Sequence, residues 1–303
     1  MIMNRTQTLK KAVEEFEKLT GLRLDVDQDS LTNPEETVQR IRILSKAYKE
    51  ANNREDILRQ WLSGEMDDEE FFSYADRMHI NDKEQRCLYL ISLKHDLYPE
   101  VITLLKNLLP DSKSWILPHR KNQLILVCRF PSKKSVNIKE KAYEILDTLN
   151  TELMEQAVIA CDEMTEELRQ LPLSFRRAQL TLKVGSVFYP DRTICLYTEM
   201  GLGNLLNDLS PEVCREYIRT SLGEDYLTSD SPVFRSDILQ TANCFLKNDL
   251  NIAETARQLH IHRNTLLYRL EQIQNETGLD IRRFECAMTY RLCAMILLYL
   301  KSL

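Results

Sequence analysis

From Thr255 to Leu270 the chain reads TARQLHIHRNTLLYRL, sixteen positions without an aspartate or glutamate. The same window carries Arg257, Arg263 and Arg269 together with His260 and His262, in a chain whose formal net charge is −6. Guanidinium groups on a surface kept clear of acids suit contact with phosphate. Asn264, Thr265 and Tyr268 add a second capability. Asparagine and arginine donate in pairs to base edges, and a threonine methyl or a tyrosine ring can meet thymine. A solvated helical hairpin used only for packing has the same outline, so the elements that hold these side chains decide what the window can do.

Three short helices are expected around it. SDILQTANCFLKN repeats apolar residues at Ile238, Leu239, Ala242, Phe245 and Leu246, one stripe of an amphipathic helix. NIAETARQL opens with Asn251 as an N-cap and Glu254 at capping-box spacing, and its small Ala253 and Ala256 allow close approach of another helix. LHI leaves room for a tight turn only. HRNTLLYRLEQIQNETG then runs to Gly278, a C-cap signal. Wound at about 100° per residue, Leu266, Leu270 and Ile273 share one side and must be core, while Asn264, Tyr268 and Glu271 fall opposite. Thr265 and Gln272 lie beside them, Arg263 sits in the first turn and Arg269 on a flank. Two short helices joined by a three-residue turn, the second of them basic, form a helix-turn-helix pattern.

Residues 238–298 resemble the C-terminal helix-turn-helix of the PucR/CdaR family of bacterial transcriptional regulators. AETARQLHIHRNTLLYRLEQIQNETGLDI is similar to that family's signature, an AETA helix followed by HRNTLRYRL and a GLD turn. The likeness to the DNA-binding end of Fis is more distant. The resemblance implies that Thr255 and Arg257 lie over the DNA backbone. It implies that His262, Arg263, Asn264, Thr265, Tyr268 and Arg269 face the groove and its phosphates. Leu267 departs from the pattern, standing where the family usually has arginine, so one cationic contact is missing. LPLSFRRAQLTLKVG and LYTEMGLGNLL resemble the segments that join the family's central domain to its DNA-binding end. That central domain is related in fold to GGDEF cyclases.

The rest of the chain fits a helix-rich globular protein. It has 303 residues, 43% of them hydrophobic, and only seven glycines, which disfavours glycine-rich phosphate loops and turn-dense β architecture. Eight scattered cysteines without a C-x-x-C pair, and an N-terminus that turns charged at once, predict free, mostly buried thiols in the cytoplasm. LCAMILLYL, at 292–300, is about half the length of a membrane span, so a buried or interface helix is expected and no membrane partner. QTLKKAVEEFEKLTG predicts a helix capped by Gly21, followed by the loop DVDQDSLTNP. A helix beginning at Pro34 should carry Val38, Ile41, Leu44 and Tyr48 on its apolar side, and MDDEEFFSYADRM (66–78) a further acid-led helix. Strands are expected at 86–93, 114–117, 123–130 and 156–161, with helices over YPEVITLLKNLLP and VNIKEKAYEILDTLNTELM. This is the β-α-β-β-α-β order of a ferredoxin-like unit. DEMTEELRQLPLSFRRAQLTLK should be helical with a kink at Pro172, and KVGSVFYPDRTICLYTEM should hold turns and a short strand.

The expected fold is therefore mainly α with a central α/β (ferredoxin-like, GGDEF-related) domain and a C-terminal helix-turn-helix. The expected divisions are a helical N-terminal region (1–80), the α/β domain (81–185), a helical connector (186–232, with a boundary at SDSP, 229–232) and the DNA-binding domain (233–303). Catalysis is not expected. The hairpin between the second and third strands reads PHRKN (Pro118–Asn122), without the glycine to admit phosphate or the carboxylate to hold magnesium that a cyclase needs. No metal or cofactor is expected: His260 reads as a core side chain, His262 as a helix-start residue, and His79, His95 and His119 have no ligand-spaced partner. The reading is a sequence-specific regulator of a metabolic operon, bound to double-stranded DNA at an inverted repeat. A sequence-tolerant Fis-like architectural protein is the alternative, and a nucleotide-binding enzyme a distant third. A homodimer is expected, held in part by the final helix through Leu292, Met295, Ile296, Leu298 and Tyr299. The family resemblance implies a small-molecule effector, whose identity is not written in these residues. The N-terminal region is short for a full sensor domain.

Overall fold

The computed structural model describes residues 9, 11–17, 34–109, 114–130, 137–228 and 236–303. The helix end expected at Gly21, the loop after it, the Tyr48 side chain and the boundary at 229–232 lie outside the described residues. A long helix α1 (Pro34–Ser63) and a short α2 (Asp68–Arg77) lead into the strand β1 (Gln85–Leu93). Asp67 caps α2 by accepting from the Glu70 N–H at 2.8 Å, and Asp68, Glu69 and Glu70 complement its dipole. There follow α3 (Pro99–Leu108), β2 (Trp115–Arg120), β3 (Gln123–Phe130), α4 (Ile138–Leu153) and β4 (Ala157–Cys161).

The sheet order is β2-β3-β1-β4-β5, where β5 (Ile194–Leu196) joins β4 in parallel and the other pairs are antiparallel. The first four strands therefore have the ferredoxin-like arrangement. Both faces are covered, which is why β1 is apolar almost throughout. Cys87, Tyr89 and Ile91 share one core with Leu105 of α3 and Ile145 of α4. Their neighbours Leu88 and Leu90 face the other way, into a core with Leu58, Trp61 and Leu62 of α1, Phe71 of α2, and Phe175 and Ala178 of the helix α5 (Leu171–Phe188). The α/β unit thus reaches back past residue 80 and takes in the end of α1. On α1, Val38 and Ile41 are buried as expected, but Leu44 is 52% exposed.

Three local expectations give way. Pro172 does not kink a helix: it lies at the first turn of α5, where its missing N–H is unneeded, after a 3-10 turn at Leu168–Gln170. KVGSVF is not a turn but the end of α5. Gly185 sits there because a Cβ would meet the Cys195 Sγ at 2.9 Å, so the glycine serves close packing of helix on strand. The hairpin is tighter than PHRKN suggested. β2 continues through Pro118, with a register irregularity, to Arg120, leaving Lys121 and Asn122 as a two-residue turn.

Beyond β5, a 3-10 turn at Tyr197–Glu199 leads to α6 (Leu202–Asp208), α7 (Pro211–Ser221) and α8 (Asp225–Thr228). The last four helices are α9 (Ser236–Lys247), α10 (Ile252–Gln258), α11 (Arg263–Thr277) and α12 (Phe284–Lys301). Among the described residues no helix is long and apolar enough to cross a membrane. All eight cysteines are free, seven buried and Cys286 half-buried. Cys87 and Cys128 are register partners on β1 and β3. Burial pushes the Cys128 and Cys161 thiols up to about 12 and that of Cys293 to about 11.

Candidate nucleic-acid interface

Helices α9 to α12 enclose their own core, in which Ile238, Phe245, Leu266, Leu270, Ile273 and Tyr290 are almost wholly buried. The chain passes from α9 to α10 through Asp249 and Leu250, both in the left-handed region (φ 51° and 61°), and from α10 to α11 through His260 (φ 53°). Side chains stabilise these costly backbone positions. The Asn248 amide donates to Gln258 Oε1 at 2.7 Å, joining the end of α9 to the end of α10. Asn251 caps α10 by accepting from the Glu254 N–H at 3.1 Å, and His262 caps α11 through Nδ1, accepting from the Asn264 N–H at 3.2 Å. Gly278 ends α11 with φ 72°.

The buried stripe of Leu266, Leu270 and Ile273 fixes the rotation of α11 and turns the start of the helix outward. His262, Arg263, Asn264 and Thr265 are all exposed, and Tyr268 is 67% exposed. Arg263 makes no hydrogen bond or ion pair among the described residues, and it stands at the positive end of the helix dipole. Arg257 projects from α10 with its guanidinium paired to the Glu254 carboxylate, which raises its pKa above the ordinary arginine value. An exposed pair of this kind contributes little to stability and exchanges easily for another anion. One exposed face therefore gathers a free cation, an amide, a hydroxyl and a phenol without a carboxylate until Glu271, one turn further on.

Three expectations need correction. Thr255 is fully buried: its hydroxyl donates to the Asn251 carbonyl at 2.7 Å, and its N–H is used by the helix. It has nothing to offer a phosphate in this conformation. Arg269 is half-buried and donates to the Thr241 hydroxyl of α9 at 2.8 Å, a strut between helices. His260 is exposed, not core, because the left-handed turn carries its ring outward. Thr241 and Asn248 were missed as organisers of the site, since cross-helix hydrogen bonds leave no periodic signal. The final helix also differs from expectation. Met295, Ile296 and Tyr299 are buried within the chain against Leu206 of α6 and Cys214 and Ile218 of α7, so they cannot face a second copy. Of the five residues proposed there, Leu298 alone is exposed, at 37%. Among the described residues no group of three or more histidine, cysteine or acidic side chains could hold a metal.

Residues 238–296 match the PucR C-terminal helix-turn-helix domain, and residues 63–184 match a GGDEF-like domain. Two separate stretches of the chain are thus similar to domains of PucR helix-turn-helix type and GGDEF-like type. Its similar relatives include an uncharacterised protein of Haemophilus influenzae, 31% identical over 130 residues, 42% of this chain and 33% of that protein. The purine catabolism regulatory protein of Bacillus subtilis is 27% identical over 42% of this chain and 23% of its own length. The proline-responsive transcriptional activator PutR of the same organism is 27% identical over 58% of this chain and 44% of its own. The chain thus spans less than half the length of each of these relatives. The helix-turn-helix match begins at Ile238, the first fully apolar position of α9, and the GGDEF-like match begins at Ser63, the last residue of α1.

Proposed function

We propose that the chain is a sequence-specific DNA-binding transcriptional regulator of the cytoplasm, controlling a metabolic operon in response to a signal. The observation that carries this reading is the outward face of α11. Arg263, Asn264, Thr265 and Tyr268 are exposed together on a helix whose opposite side is locked into a core. Such a helix can enter the major groove with its N-terminal residues toward base edges. The regulatory names of two relatives support the same reading. One recognition helix buries on the order of 600–1,000 Å² of protein surface, a modest interface for discrimination within a genome. A homodimer on an inverted repeat, with half-sites about one helical turn apart, would supply the rest.

Two features weigh against a sequence-tolerant architectural protein. Leu267 is half-buried where the family usually has arginine, and Arg269 is engaged with Thr241. The first removes a cation and the second commits one guanidinium nitrogen within the chain, and non-specific affinity depends on such phosphate contacts. The enzyme alternative finds no support at the hairpin, whose two-residue turn is Lys121–Asn122. Incubation with GTP and magnesium is expected to yield no cyclic dinucleotide above a denatured control.

The test is recovery of fragments from the protein's own genome, followed by titration of the best fragment and of random DNA. Asn264→Ala should weaken the selected fragment by roughly 1–3 kcal/mol and leave random DNA nearly unchanged. Arg263→Ala should weaken both. Equal affinity of the unaltered protein for all fragments would defeat the reading.

A further inference from the structure

A cavity of about 770 Å³ opens between α5 and the end of the sheet that carries the β2–β3 hairpin. Its size is that of a small-molecule site. Three cations line it: Arg120 at the end of β2, Lys183 on α5 and Arg192 just before β5. No aspartate or glutamate lines it. Elsewhere the chain neutralises comparable groups, as Lys121 does with Asp96 at 2.8 Å and Arg177 with Asp162 at 3.3 Å. Among the described residues Arg120 makes no ion pair or hydrogen bond. Arg192 stacks on the Tyr189 ring at 4.3 Å, and Lys183 donates to the Asn207 amide oxygen at 3.0 Å. Cations gathered without counter-charge favour an incoming anion.

The floor gives a second, independent sign. Along β1 the positions facing α5 are Leu88 and Leu90, then Ser92, whose register partner on β3 is Gln123. The apolar alternation stops where the cavity begins. Ser92, Gln123 and, above them on α5, Gln179 are half-buried, and none of these side chains makes a hydrogen bond among the described residues. Half-buried polar groups left without partners, beside cations with no carboxylate in the lining, form a site prepared for a ligand.

We infer that this cleft binds a small organic polyanion, carrying two or more carboxylate or phosphate groups on a short skeleton. The arginines offer paired donors to planar or tetrahedral anions, and Ser92, Gln123 and Gln179 would hydrogen-bond the skeleton. Lys183 also lies over the Tyr299 ring of α12 at 5.9 Å, while its partner Asn207 belongs to α6. An anion that draws Lys183 inward would loosen its hold on both helices and so alter the seating of the α9–α12 module. This last step rests on the proposed DNA-binding role; the binding itself does not.

The experiment titrates the full chain, without DNA, with citrate and separately with fructose 1,6-bisphosphate, at constant ionic strength and with sorbitol as the uncharged control. At least one anion should bind and raise Tm, and the better of the two identifies carboxylate or phosphate as the preferred group. The double variant Arg120→Gln/Arg192→Gln, folded by circular dichroism, should lose affinity by about tenfold or more. If neither anion binds the unaltered chain more tightly than this variant, the site does not exist. In a second arm, the bound anion should change DNA affinity in the unaltered chain and not in Lys183→Gln. Unchanged affinity in both would remove the coupling through Lys183, and absence of DNA binding would leave the anion isotherm standing.

Discussion

Arg269 lies on the flank of α11 and gives one guanidinium nitrogen to the Thr241 hydroxyl across the helix pair. Hydrogen bonds from charged donors contribute about 1.5–3 kcal/mol, so the strut fixes the angle at which α11 leaves α9. Arg269→Ala and Thr241→Val should each lower stability by about 1–2 kcal/mol, and the double variant should lose little more than either alone. Urea unfolding of the four proteins measures this; strictly additive losses would show that the two side chains act independently. Residue types announced much of this site in advance. Asn251, His262 and Gly278 marked helix ends because their chemistry at those ends is local, and Leu266, Leu270 and Ile273 marked the buried side because burial repeats with the helix. Thr255 and Arg269 could not be read the same way. A threonine on a helix can turn its hydroxyl back to the carbonyl four residues earlier, and an arginine can reach inward along its stem. Neither choice alters the pattern of residue types.

Among the elements, α12 shows how an apolar circumference can be covered within one chain. Ile296 and Tyr299 meet α6 and α7, which were expected only as a helical connector and so did not register as a cover. Ile296→Asp should therefore unfold the C-terminal helices instead of releasing folded monomers, because an unpaired charge would replace a fully packed side chain. Leu298→Asp, at the exposed position, should be tolerated within about 0.5 kcal/mol. Thermal unfolding separates the two cases, and a folded, monomeric Ile296→Asp protein would restore the final helix as a dimer contact. The connector packs closely elsewhere too: a Cβ on Gly203 of α6 would meet Val184 Cγ1 of α5 at 2.5 Å. Helix existence was legible from periodicity, whereas the start of α5 was not. A proline in the first turn and a proline at a kink carry the same local signal, and the 3-10 turn before it decides between them.

Across the whole molecule, the β-α-β-β-α-β order was legible because each strand is short, apolar and bounded by turn residues. The extent of the α/β unit was not, because Trp61 and Phe71 sit in helices that precede the first strand and join its core only through tertiary contact. The proposed dimer should be visible by light scattering on DNA carrying an inverted repeat, as two chains per repeat; one chain tightly held on a single half-site would refute it. The eight thiols supply a different kind of readout. Thiolate is the reactive form, and burial both shields these sulfurs and raises the pKa of Cys128, Cys161 and Cys293. Under native conditions iodoacetamide should alkylate Cys286 first, while the other seven wait for their surroundings to open. Cys87, Cys128, Cys161 and Cys195 lie in the sheet, Cys244 in α9 and Cys214 and Cys293 where the connector meets α12. Mass spectrometry of the order in which they are capped would then time the opening of each layer separately, a set of built-in clocks reading local unfolding without any added probe.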